Sequence, residues 1–153
     1  MTSHSILHKM IFYRFFFLTS SFILTMFVYN NRILSLQVVI PISDKATEDV
    51  MYKDMDTVLT TMWTGSLVAH LIEYVGLFTG ISYNRFGYYT LSVTCHFLGS
   101  FFLLCGMLDN WQYAIFCWVF VLFSYLPALL ESCNIFIFVL FEYDIMNKVE
   151  IRV

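Results

Sequence analysis

The stretch Tyr88–Phe141, YYTLSVTCHFLGSFFLLCGMLDNWQYAIFCWVFVLFSYLPALLESCNIFIFVLF, decides the fold. Its only formal charges are Asp109 and Glu131. The polar dip Asp109-Asn110-Trp111-Gln112 divides it into two apolar segments. Each is long enough to cross a hydrocarbon core of about 30 Å at about 1.5 Å per helical residue. A soluble domain of 153 residues has too small an interior to hide this much apolar surface. The stretch reads as a membrane hairpin, and the acid Glu131 within it needs a partner or a proton.

Two further apolar runs precede it, Ile11–Tyr29 and Val58–Gly80. The chain therefore reads as an all-α integral membrane protein. One domain over residues 1–153 holds four transmembrane helices, at about 11–29, 58–80, 88–108 and 113–139. Lys9 precedes the first run and no small-x-small cleavage pattern follows it, which favours a retained signal-anchor. Arg14, near the start of that run, is expected to reach back to the headgroups.

The composition agrees. Hydrophobic residues make up 59% and charged residues 12%, against about 25% charged in ordinary globular proteins. With net charge −3 and no basic patch or Gly-rich phosphate loop, the chain has no equipment for nucleic acid or for nucleotide phosphates. Cys95, Cys105, Cys117 and Cys133 all fall within the spans and read as small buried residues rather than a disulfide framework.

With four spans both termini share a side. Lys9, Arg14, Arg85, Lys148 and Arg152 lie there, against Arg32, Lys45 and Lys53 in the first loop. This imbalance puts both termini in the cytoplasm and the loop Asn30–Thr57 outside it. The front of the loop, Leu34–Ile42, reads as an extended apolar strip around Pro41. Its back half carries Asp44, Glu48, Asp49, Asp54 and Asp56, and reads as a solvated acidic surface or one that docks a neighbouring ectodomain.

Four ionisable side chains lie inside the spans: His70, Glu73, His96 and Glu131. Helix rise places them roughly 10–15 Å from the cytoplasmic end, in one layer. Groups so placed face the bundle interior and pair, acting as polar glue between helices. A proton or ion path would use the same groups but needs a water-filled route. His70 and His96 could also flank a haem, although one histidine per helix is thin evidence. No nucleophile stands beside a base, so neither catalysis nor a cofactor is expected.

Pro127 removes a backbone bond within the fourth span, frees the carbonyl of Phe123 and predicts a kink that aims Glu131 inward. Ser124 stands where it could satisfy the backbone nearby. Gly76-Leu77-Phe78-Thr79-Gly80 is a GxxxG that permits close packing of a helix, or simply ends one at Gly80.

Taken in order, these residues resemble the transmembrane protein 107 family. The resemblance rests on His96, Trp111 and Pro127 within Leu126-Pro127-Ala128-Leu129-Leu130-Glu131, and on Glu73 followed by Gly76 and Thr79-Gly80. It extends to Leu36-Gln37 with Pro41, and more loosely to Glu48-Asp49, covering about residues 32 to 141. The chain departs in a first loop slightly longer around Val50-Met51 and in a tail, Glu142–Val153, of mixed charge. The resemblance implies a non-enzymatic membrane subunit of the ciliary transition zone, which helps assemble the Meckel module and its gate on ciliary membrane composition. The implied partners are other membrane and C2-like-domain proteins of that module and tectonic-type proteins. Loop contacts would fall at Gln37, Pro41, Glu48 and Asp49. The GxxxG pattern, for its part, leaves self-association through Gly76 and Gly80 open. The competing reading is a small transporter, channel or auxiliary channel subunit built on the Glu/His layer.

Overall fold

The computed structural model describes residues 3–37, 45–80 and 86–150, with side chains described over 9–37, 50–80 and 87–141. The described residues are helical nearly throughout: α1 (Ser3–Asn30), α2 (Arg32–Gln37), α3 (Lys45–Thr79), α4 (Phe86–Leu108), α5 (Tyr113–Phe120) and α6 (Leu126–Glu150). A π turn, Val121–Tyr125, joins α5 to α6. Among the described residues, three stretches are long and apolar enough to cross a membrane: Lys9–Asn30, Gly87–Leu108 and Tyr113–Phe141. The expected second span, 58–80, is the C-terminal part of α3 with Gly80 just beyond it. It falls short on hydropathy because Thr60, Thr61, Thr64, Ser66, His70 and Glu73 dilute its leucines and valines.

Helix ends follow local chemistry. Gly80, at φ 74°, takes the left-handed conformation just past Thr79, which costs a glycine nothing. Asn110 does the same after α4 at φ 50°, and the Trp111 N–H donates back to the Gly106 carbonyl at 2.9 Å, closing a Schellman-type end. The dip Asp109–Gln112 is thus a tight reversal.

The first loop departs from expectation. Leu34–Gln37 belongs to α2 rather than an extended strip, while residues 38–42 lie outside the described residues. From Lys45 on, the acidic back half is the start of α3, because Lys45–Thr57 contains no Gly or Pro and favours one continuous helix; Asp44 lies outside the described residues.

α1 packs chiefly on α4 and α3; α3 also packs on α5, the π turn and α6. Each helix turns a stripe inward at three- and four-residue spacing. On α1 this stripe is Arg14, Leu18, Ser21, Thr25 and Val28. At one end the interior is apolar, built from Val28, Leu36, Leu59, Leu103, Phe116, Val119 and Phe120. Toward the other end it is polar: Ser21, Ser66, His70, Glu73, Ser92, His96, Ser124 and Glu131 are buried. The outside shows Phe16, Phe27, Val75, Phe78, Phe101, Trp118, Leu129 and Phe136. Polar groups inside and large apolar groups outside suit a molecule whose solvent is hydrocarbon.

Candidate functional site

The polar interior resolves into two linked groups. In the first, α3 and α4 meet through an acid. Glu73 Oε2 lies 2.8 Å from His96 Nε2 and accepts from Ser92 Oγ at 3.1 Å. All three residues are fully buried. Above them, His70 Nδ1 lies 2.7 Å from the Ser66 carbonyl, which can only accept, so that nitrogen carries the proton. In a neutral ring Nε2 is then the acceptor, and Ser21 Oγ donates to it at 3.2 Å. The His70 and His96 rings stand 5.5 Å apart, tilted by 47°. Ser66 Oγ donates to Ser124 Oγ at 3.0 Å, tying α3 to the π turn. Ser124 therefore reaches across to a neighbouring helix.

The second group is centred on Arg14. Its Nη2 donates to Glu131 Oε2 at 3.0 Å and to the Tyr88 hydroxyl at 3.1 Å, with both ends of the ion pair fully buried. The guanidinium carbon also lies 5.1 Å from the centroid of the Tyr88 ring. The Tyr88 hydroxyl in turn donates to the carbonyl of Pro127 at 3.3 Å. One phenol thus connects α1, α4 and the proline-bearing start of α6. Pro127 follows directly on the π turn, where the Leu126 N–H bonds to the Val121 carbonyl five residues back. The backbone perturbation in this segment takes that form.

Gly76 receives Glu131. A Cβ at position 76 would overlap the Glu131 carboxyl, Oε1 first. The glycine makes room for an acid of the same bundle, and Gly80 ends the helix. The other interior glycines act likewise. Gly65 faces the Tyr125 hydroxyl, Gly99 the Cβ of Phe123 and Gly106 the ring of Phe116.

These contacts revise two expectations. Glu131 pairs with Arg14, a residue outside the expected layer of His70, Glu73, His96 and Glu131. Arg14 does not point to the headgroups; it lies on the same helix face as Leu18, Ser21 and Thr25, which turns it inward. The inward stripe of small polar residues on Ile11–Tyr29 is the sequence signal that could have revealed this. Asn134 is also buried, and a lone amide barely interrupts an apolar run, so the sequence gives little sign of it. Gln37 is exposed at the end of α2. Pro41 lies outside the described residues, as do the side chains of Glu48 and Asp49 in the first turns of α3.

Far from these groups, Arg32 Nε donates to Asp56 Oδ1 at 2.9 Å and its guanidinium lies 4.2 Å from the Tyr29 ring centroid. Tyr29 stacks on Trp63 at 4.0 Å, and Trp63 Nε1 donates to the Thr25 carbonyl at 3.0 Å. Among the described residues no group of His, Cys, Asp and Glu side chains has the makings of a metal site. The four cysteines are free thiols.

Residues 10–135 match the model of the transmembrane protein TMEM107. The chain belongs to the transmembrane protein 107 family. The match spans every polar interior residue described above, from Arg14 to Asn134. Membership in this family, together with three helices of membrane-crossing length, makes the chain a multi-pass membrane protein. Comparison with curated proteins and with solved structures gave no match.

Proposed function

We propose that this member of the transmembrane protein 107 family is a non-enzymatic organising subunit of the ciliary transition zone. In this reading it crosses the membrane four times, with 58–80 as the second span, both termini cytoplasmic and the α1–α3 connection outside. Its partners are membrane, C2-like-domain and tectonic-type proteins of the Meckel module, held together at the gate that controls ciliary membrane composition.

The observation that carries this reading is the family match over residues 10–135. The interior supports a structural role. Glu73, His96, Arg14 and Glu131 are each bonded to a side chain of another helix and fully buried, as polar glue requires. Transport is less well supported, since the polar half of the interior stops at the apolar cluster of Leu59, Leu103, Phe116 and Phe120. The apolar outer face and the limited mass outside the membrane suit lateral association with other membrane proteins.

The test is localisation in a ciliated cell. The tagged protein should concentrate at the cilium base, between basal body and axoneme, and its loss should displace other module members. Even spread over the plasma membrane, or confinement to another organelle, would overturn the reading.

A further inference from the structure

Arg14 can occupy two positions that exclude each other. Alone in a bilayer, α1 offers it no counter-charge, for residues 3–30 contain no Asp or Glu. Arg14 lies five residues after Lys9, about 7 Å along the helix, within reach of the headgroups for so long a side chain. In the closed bundle it is fully buried and donates to Glu131, 117 residues further along the chain. The acid is seated where Gly76 lacks a Cβ. In this arrangement the first helix buries its charge against an acid of the last, in room made by the third.

We propose that Arg14 and Glu131, seated on Gly76, form a latch that docks α1 onto the bundle once α6 is in the membrane. Before that, Arg14 faces the headgroups; afterwards it points inward and fixes which helix face α1 presents. The chain thereby neutralises its own membrane-embedded arginine and needs no partner acid to do so. This rests on α1 and α6 crossing the membrane, and is independent of where in the cell the protein resides.

The far end of α1 carries a natural reporter. Trp63 stacks on Tyr29 and bonds to Thr25, so it is shielded on that side while α1 is docked. With Trp111 and Trp118 replaced by Phe, Trp63 is the only tryptophan, and quenching by brominated-chain phosphatidylcholine in nanodiscs measures lipid access to it. Glu131→Leu, which orphans Arg14, should raise the quenching. So should Gly76→Ala, which displaces the carboxyl. Arg14→Met combined with Glu131→Leu should restore the parent value, because no charge is then left unpaired. Quenching unchanged in Glu131→Leu, or equally high in the double variant, would overturn the latch. If Glu131→Leu does not accumulate, yield takes the place of quenching: recovery in the double variant supports the proposal and an equal loss refutes it.

Discussion

Glu73 and His96 meet at 2.8 Å between α3 and α4, with no exposure of either side chain. Ser92 supplies the second bond to the same carboxyl oxygen. Removing one partner of such a pair strands the other in a site that water does not reach. His96→Leu should therefore cost about 3–5 kcal/mol, and Glu73→Gln, which keeps a carbonyl for Ser92 or His96, clearly less. Thermal unfolding of purified protein followed by size-exclusion chromatography ranks the two; equal loss would mean that the carbonyl kept by glutamine does not stand in for the carboxyl of Glu73.

Tyr125 makes the second prediction. Its hydroxyl donates to the Met62 carbonyl at 2.8 Å and its ring lies over Gly65. Gly65→Ala should destabilise by about 1–3 kcal/mol through overpacking, although alanine is the better helix former. In a Tyr125→Leu background the same change should become neutral or mildly stabilising. That reversal of sign in a double-mutant cycle is the measurement that checks the contact.

A third contrast comes from the opposite end of the bundle. Arg32 and Asp56 are each about a third exposed, at 27% and 31%. The hydrogen bond to Asp56 raises the Arg32 pKa above its ordinary value, so the guanidinium stays charged at every working pH. Asp56→Asn should nonetheless cost below about 1 kcal/mol and lose even that in high salt. Tyr29→Ala should cost more, since it removes both the surface under Arg32 and the stack on Trp63. Unfolding midpoints at two salt concentrations separate these effects.

Gly80→Ala is a backbone test. At φ 74° a Cβ is strained whatever space surrounds it, and the expected loss is about 1 kcal/mol. Gly87→Ala, where an added Cβ meets nothing within 4 Å, should be silent in the same assay.

The sequence made the hairpin of α4 to α6 legible, because a long apolar run broken by Asp109–Gln112 admits few other readings. Glu73, His96 and Glu131 were legible as interior groups for the same reason, since an ionisable side chain amid leucines and phenylalanines has nowhere else to go. Their pairing was not. Depth along a helix says which groups share a level, whereas partner choice depends on rotation, which lone charges do not report. Arg14 shows the difficulty best: so near the start of an apolar run, headgroup and interior are both within reach, and only Ser21 and Thr25 on the same face point inward. The helical start of α3 was hidden by its charges, which read as a loop even though Lys45–Thr57 holds no helix breaker.

The pairing of Arg14 with Glu131 reaches past stability. Among the described residues between the two ends of the bundle, Arg14, Glu73 and Glu131 are turned inward and bonded, so the face offered to surrounding hydrocarbon there is apolar. To its neighbours in the bilayer this molecule is electrically silent. If it is held at the cilium base as proposed, its holders have to grip it by contour and thickness, or by the segments that project from the two faces.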